Sequence, residues 1–478
     1  MCGPLCTAVA LQGRRLRLAA LLAGAVGLAA GPVRAAEEAP AMTPLNLSTN
    51  DRVLVFAPHP DDEVLACGGL IQQALARHLP VRVVFFTYGD NNAWSFLFYR
   101  KRLVLTPGSV RAMGEVRHDE AFRADAVLGL SSNNLTFLGY PDFRSLAIWN
   151  SHWGDRPPQE SMLTRTTRVP YANAFRPGAP YKGEEILRDL TAIIEDFRPS
   201  RLFVSHPADH NPDHQALYLF TRVALWDLEG RVDPALHPYL VHFPRWPELR
   251  GEHTDLPLDP PAYFGRQIAW QACDLTPLEV ARNLEALRDH KSQFEFSPQY
   301  MLSFIRTREL FGDFSAISIP TTNQVPADLR SPTGDALRIA EAPEQLTDEE
   351  RAAFVGVEWR AVELSGNALI LTIGLSRPMA ETVSSTILAA GYRHDVPFAR
   401  MPKLRIVLGA VEYQVFDQDR PLPRDAITVS RTSTEIKVRI PLSVLGDPHH
   451  VLTSAHTMLG QVPLDWITWR AIDLPHAH

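Results

Sequence analysis

Two short stretches carry the residue types that do chemistry together. The first is His59-Pro60-Asp61-Asp62-Glu63, and the second is His206-Pro207-Ala208-Asp209-His210-Asn211-Pro212-Asp213-His214. A divalent metal in a catalytic site takes nitrogen and oxygen ligands at about 2.0–2.2 Å, typically three from the protein, with a further position for water. His59, Asp62 and His214 supply such a set. Asp61, beside a ligand but aimed elsewhere, is then available as a base toward that water. The plainer reading of the first stretch is a turn in which Asp61 or Asp62 caps the helix that follows. Three acids in a row beside a histidine repel one another unless a cation neutralises them, which favours the metal. His206 reads as a structural residue at the end of its strand.

Both stretches must stand on one rim for this to work, and the surrounding pattern puts them there. Residues 52–57 (RVLVFA), 81–87 (VRVVFFT), 135–138, 201–205 (RLFVS) and 239–241 are short apolar runs of buried strands. Residues 63–77, 117–130, 184–197 and 215–226 carry helical periodicity between them. Alternation of this kind predicts an α/β fold, a Rossmann-like, doubly wound, mostly parallel sheet. Each of the two stretches follows a strand, and ligands of such sheets bind outside the strands' carboxyl ends.

Composition bounds the rest. The 478 residues carry a formal charge of −7, with 45% hydrophobic and 21% charged residues, which excludes wholesale disorder, coiled coil and collagen. An acidic balance has the wrong sign for gripping phosphate backbones, so nucleic acid is not an expected partner. Arg14, Arg15 and Arg17, the apolar run 18–30 and Val33-Arg34-Ala35 read as a signal peptide over residues 1–35. The run is shorter than the roughly 17–25 residues that span a bilayer. Cleavage would remove four arginines and no acids, taking −7 to −11, and would place the protein in the periplasm or outside the cell. The Arg-Arg pair suggests twin-arginine export, but Arg17 stands where a large apolar residue is expected, so the route stays open. Cys2 and Cys6 leave with the signal, and Cys67 and Cys273 are expected as free thiols. No later apolar stretch is long enough to span a membrane.

These residues resemble the PIG-L/LmbE-like zinc-dependent N-deacetylases, which hydrolyse the acetamide of N-acetylglucosaminyl groups. The likeness rests on Ala57-Pro58-His59-Pro60-Asp61-Asp62-Glu63 with Gly68-Gly69, on Arg117-x-x-Glu120 with Leu128-Gly129, and on Phe137-Leu138-Gly139-Tyr140-Pro141-Asp142. Asn211-Pro212-Asp213-His214 and Asp289-His290-Lys291-Ser292-Gln293 complete it, over roughly residues 51–314. The resemblance implies one Zn2+ on His59, Asp62 and His214, Asp61 as general base, and Arg117 against sugar hydroxyls. The family's second stretch usually reads H-P-D-H, its first histidine helping to stabilise the oxyanion. Asn211 stands there instead. An asparagine amide donates a hydrogen bond but carries no proton to a leaving amine. Either His210 takes that role or Asp61 performs both proton transfers.

Other loops frame the pocket. Asp90, Tyr140 and Asp142 follow strands, and Asp90 and Asp142 read as sugar-hydroxyl acceptors or as turn residues. His242, after residues 239–241, is a candidate to reach the site. Residues 94–102 and 143–181 are long for such connections. The second holds Trp149, Trp153, Tyr171 and Tyr181, which suit either sugar rings or a buried lid. The domain expectation is a deacetylase domain over 36–318, a linker over 319–352 and a β-sandwich over 353–478, the last from alternating runs such as ALILTIGL and EIKVRIPL. That sandwich holds a carbohydrate or serves as a stabilising or dimerising add-on. The expected function is an exported zinc amidohydrolase that deacetylates an amino sugar in a glycan or glycoconjugate. The alternatives are a sugar-binding protein on an inactive metal-bearing scaffold and an O-acetyl esterase.

Overall fold

The computed structural model describes residues 42–91, 105–264, 267–319 and 347–475. The expected signal segment, the run 94–102 and the linker residues 320–346 lie outside the described residues. The first half of the chain runs β1 (Met42–Pro44), β2 (Val53–Ala57), α1 (Asp62–Ala76), β3 (Val81–Thr87), α2 (Pro107–Leu128), β4 (Leu135–Tyr140) and α3 (Ser145–Ser151). It continues with α4 (Gly183–Phe197), β5 (Arg201–Ser205), α5 (Pro212–Asp227), β6 (Ala235–Tyr239), β7 (Trp270–Asp274), α6 (Pro277–Asp289), α7 (Lys291–Phe294), α8 (Pro298–Leu302) and β8 (Arg308–Phe311).

Five of these strands make an all-parallel sheet in the order β4-β3-β2-β5-β6. Strand β2 is buried along its whole length, which is why its sequence is apolar at every position rather than at every second one. The strand order reverses between β2 and β5. At that switch point the loops leaving the two strands diverge and leave a crevice. The His59 and His214 stretches are those two loops.

Two elements differ from the sequence pattern. Helix α2 begins ten residues before the expected 117, because Thr106 and Ser109 form a capping box and Pro107 occupies the first turn, where no backbone N–H is needed. Strand β6 lies upstream of the expected 239–241, pairing in register from Arg201↔Ala235 to Ser205↔Tyr239. Its Pro238 lacks a donor, which is tolerated because β6 is an edge strand.

The second half builds β9 (Ile317–Ser318), β10 (Val357–Leu364), β11 (Ala368–Leu375), β12 (Val383–Tyr392), β13 (Lys403–Leu408) and β14 (Tyr413–Asp417). Then come β15 (Arg420–Pro421), β16 (Thr428–Arg431), β17 (Glu435–Pro441), β18 (His450–Leu459) and β19 (Val462–Asp473). They form a four-stranded sheet, β10-β11-β17-β16, and a seven-stranded one, β15-β14-β13-β12-β18-β19-β9. Leu371, Ile373 and Val438 of the first sheet share a core with Ile387, Ile406 and Ala455 of the second, so this region is a β-sandwich.

The seven-stranded sheet is buried on its other face too. In β12, Ile387 and Ala389 point into the sandwich, while Leu388, Ala390 and Tyr392 join the core of the α/β region, as the period of two requires. Trp149 and Trp153 are the α/β side of this joint. Trp149 stacks on Phe398 at 5.2 Å and meets Trp469 edge-on at 6.3 Å, and Trp153 packs edge-on against Phe398 at 5.0 Å. Lys403 Nζ sits 4.5 Å over the Trp153 ring and donates to the carbonyls of Phe398 and Met401 at 2.6 and 2.7 Å. The long loop's tryptophans are therefore packing, not sugar platforms. Cys67 and Cys273 are free and buried, and among the described residues no helix is long and apolar enough to cross a membrane. Truncating Trp153 to alanine should cost about 3–5 kcal/mol of stability, read as a lower midpoint in thermal unfolding; an unchanged midpoint would contradict the docked arrangement.

Candidate active site

The crevice between β2 and β5 brings three side-chain atoms into a triangle. His59 Nδ1 lies 3.2 Å from Asp62 Oδ2 and 3.3 Å from His214 Nε2, and Asp62 Oδ2 lies 3.1 Å from His214 Nε2. Ligands held 2.0–2.1 Å from a four-coordinate ion stand about 3.3 Å from one another. The donor set and its spacing thus fit one divalent cation. All three residues are buried, His59 being 6% exposed and the others less.

Each imidazole is backed by carboxylate on its far nitrogen, the arrangement that fixes ring orientation at metal sites. His214 Nδ1 is 3.0 Å from Asp209 Oδ2, and that carboxylate also accepts the N–H groups of Val241, His242 and Asn211. His59 Nε2 is 3.2 Å from both Asp142 Oδ1 and Asp213 Oδ2. Asp213 further accepts Ser145 N at 3.1 Å, and Asp142 accepts Asn91 N at 2.9 Å. Burial disfavours charge throughout, but the pairings override it. The neighbouring acids, Asp142 foremost, raise His59 well above its ordinary value; His214 and His59 hold Asp62 well below the usual carboxylate range; and Asp209 and Asp62 raise His214 to about 9.

Asp61 is placed differently. It precedes α1 at φ 137°, outside the range a non-glycine residue adopts without strain, and its side chain makes no capping hydrogen bond. Capping is therefore not its job. Its Oδ2 meets Arg117 Nη2 at 3.3 Å, and burial pushes its carboxyl up to about 7 against the pull of that guanidinium. Arg117 also donates to the carbonyls of Gly89 and Pro60, both at 2.8 Å, so it clamps the His59 loop. Gly89 sits at φ 62°, and a Cβ there would stand 2.1 Å from Arg117 Nη1, so both its backbone conformation and the guanidinium beside it favour glycine. Beneath the loop, Glu63 accepts Asp61 N at 2.9 Å and pairs with His290 Nε2 at 2.9 Å, while Glu120 accepts Ser292 N and Oγ. The Glu63, Glu120 and His290 stretches are scaffold.

A pocket of about 180 Å³ opens over the triangle, and His59, Asp61, Asp62, Arg117, Asp142, Asn211 and His242 line it. His242 has a ring nitrogen within 4.8 Å of the His59, Asp62 and His214 ligand atoms, and its Nδ1 lies 3.1 Å from the Tyr300 hydroxyl. Asn211 caps α5, its Oδ1 accepting Asp213 N at 2.8 Å, and only its amide N–H₂ end remains as a donor. Of the other expected residues, Asp142 stays on the pocket wall, and His210, Asp90 and Tyr140 are engaged elsewhere. His210 packs edge-on against Phe243 and does not line the pocket. Asp90 is buried against the Tyr171 hydroxyl, and Tyr140 donates to Asp189 at 2.7 Å. Asp142, read as a sugar-hydroxyl acceptor, spends its oxygens on His59 and Asn91. Asp209, Asp213 and Tyr300 had no expected role. The first two stand in the quoted stretch, but nothing in the sequence brings Tyr300 here.

Residues 54–225 match the family described as PIG-L, GlcNAc-PI de-N-acetylase. They are a PIG-L family domain. Two curated relatives, the 1D-myo-inositol 2-acetamido-2-deoxy-alpha-D-glucopyranoside deacetylases of Mycobacterium sp. strains KMS and JLS, are each 28% identical over 186 residues, 38% of this chain and 53% of theirs. The chain thus spans about half the length of the curated relatives it matches. Among solved structures, N,N'-diacetylchitobiose deacetylase from Pyrococcus horikoshii aligns over 51% of this chain and 71% of its own at 20% identity, with a TM-score of 0.31. The 4-carboxy-2-hydroxymuconate hydratase GalB of Pseudomonas putida KT2440 aligns over 57% and 100% at 16% identity, with a TM-score of 0.35.

Because Asp209 orients His214, Asp209→Asn should weaken divalent-metal affinity about 10–100-fold without unfolding the chain. Chelator competition against zinc measures this, and equal affinity in both proteins would remove Asp209 from the metal's support.

Proposed function

We propose that this chain is an exported, zinc-dependent amidohydrolase that removes the N-acetyl group from an N-acetylglucosamine-type amino sugar in a glycan or glycoconjugate. The observation that carries this reading is the triangle of His59 Nδ1, Asp62 Oδ2 and His214 Nε2, two of whose members, His59 and Asp62, line the pocket together with Asp61. The PIG-L match and the deacetylase relatives support the reaction class, and the signal-like N-terminus supports export.

His59, Asp62 and His214 would hold the ion. When bound, a zinc ion supplies Lewis acidity that polarises an amide carbonyl and makes water nucleophilic near neutral pH. The chain's own groups do the rest. Asp61, pushed up to about 7, takes the proton of the attacking water, a base poised near the working pH. Arg117 keeps that carboxylate and the loop backbone in place. The Asn211 amide N–H₂ donates toward the carbonyl oxygen as it gains charge. Asp61, protonated in that step, returns the proton to the departing amine, the task Asn211 cannot perform, and His242 lines the pocket beside it with its Nδ1 at Tyr300. Phe143 and Phe296, 45% and 38% exposed at the pocket, offer apolar faces to a sugar ring.

Acetate release from a panel of N-acetylated glycans and glucosaminyl-inositols tests the reaction. Asp61→Asn should lower turnover at least about 100-fold with metal content unchanged. His210→Gln should stay within a few-fold of wild type, because that ring packs on Phe243 and does not line the pocket. A loss of about 100-fold or more in His210→Gln would move the proton-carrying role from Asp61 to His210. A metal-loaded wild type that releases acetate from none of the panel would point to sugar binding without catalysis.

A further inference from the structure

A second group of metal-ligating side chains sits far from the pocket, where the α/β region meets the sandwich. Glu229, just past the end of α5, lies with Oε2 3.3 Å from Nε2 of His394, in the loop after β12. His450, the first residue of β18, completes a set whose ligand atoms all lie within 4.8 Å of one another. The 3.3 Å edge is what two ligands of a four-coordinate ion make.

Three further observations point the same way. Both histidines have Nδ1 engaged by a protein oxygen: His450 with Asp473 Oδ1 at 2.8 Å, and His394 with the Tyr392 hydroxyl at 3.4 Å, which in turn donates to Asp227 at 2.8 Å. Carboxylate backing of the far ring nitrogen, direct or through a hydroxyl, is what orients histidine ligands. The His450 ring is also fixed by stacking on Trp226 at 4.6 Å and 6°. Finally, Glu229 follows the carboxyl end of a 16-residue helix, where the summed peptide dipoles favour a cation.

We propose that Glu229, His394 and His450 form a second divalent-cation site, selective for late first-row ions such as Zn2+, Co2+ or Ni2+ through its two imidazoles and one carboxylate. Its ligands come from the turn after α5 on one side and from the loop after β12 and the start of β18 on the other, so the ion clamps the sandwich to the α/β region. With Glu229 and His394 side chains 63% and 39% exposed, it loads directly from solvent.

The test is metal stoichiometry on the full chain without a polyhistidine tag, stripped with chelator, reloaded with zinc and measured by elemental analysis and calorimetry. Wild type should hold one more equivalent than Glu229→Gln and than His394→Ala, and His59→Ala should lose a different equivalent, leaving none in His59→Ala/His394→Ala. Added zinc should raise the melting temperature of His59→Ala but not that of the double variant. Equal zinc content in wild type and both outer-site variants overturns the proposal. The decisive quantity is a difference in stoichiometry, so it holds or fails independently of whether any sugar is deacetylated.

Discussion

Four carboxylates, those of Asp62, Asp142, Asp209 and Asp213, are held out of water against the two imidazoles of His59 and His214, and the crevice is organised by the cost of that burial. Unpaired, such charges would each cost several kcal/mol. The backbone supplies part of the compensation from every loop at the strands' carboxyl ends. His59, after β2, donates its backbone N–H to Asp62; Asn91, after β3, donates to Asp142; Ser145, after β4, donates to Asp213; Asn211, Val241 and His242, after β5 and β6, donate to Asp209. The acids are thus the reason five separate loops converge on one point. A divalent cation at the triangle would add to the same balance.

The sandwich belongs to this architecture rather than hanging from it. A tethered carbohydrate-binding module acts by local concentration and needs only a linker. Here the seven-stranded sheet buries one face on the four-stranded sheet and the other on Trp149, Trp153 and Phe220 of the α/β region. Trp149 and Trp153 flank the loop after β4, which also carries Asp142, Phe143 and Ser145. The sandwich therefore buttresses the segment that backs His59.

How much of this was readable from sequence follows from the range of the interactions involved. Strands β2, β3 and β5 were legible because burial on both faces leaves unbroken apolar runs. The pairing of the two histidine loops followed from their places after strands. The ligand spacing rests on residues that act within a few positions of each other or from equivalent turns. What failed to show was set by contacts distant in sequence. Strand β6 shifted because its register with β5 outweighed the weak apolar signal at 239–241. Asp142 is a partner of His59, 83 positions earlier, and no local pattern distinguishes that from a turn aspartate. Tryptophans in a long loop look the same whether they face a sugar or a neighbouring sheet. His242 entered the pocket through its position after β6, but its partner Tyr300 is brought in by α8, which carries no motif.

Helix α5 ties the two ends of the molecule together and shows why its two metal-ligating clusters are built differently. His214 stands in its first turn and Glu229 just past its last, 15 residues and about 22 Å apart along the axis. The amino end of a helix carries partial positive charge and works against a cation, while the carboxyl end carries partial negative charge and favours one. At the His214 end the opposing dipole is met by four buried carboxylates, and the ligand triangle has edges of 3.1–3.3 Å. At the Glu229 end one carboxylate and two imidazoles near water suffice, because the helix terminus and the acids behind the histidines add to their pull. Burial makes the inner cluster rigid and its electrostatics strong, as chemistry on a bound substrate requires. Exposure leaves the outer cluster screened and adjustable, which suits a joint between two packed layers.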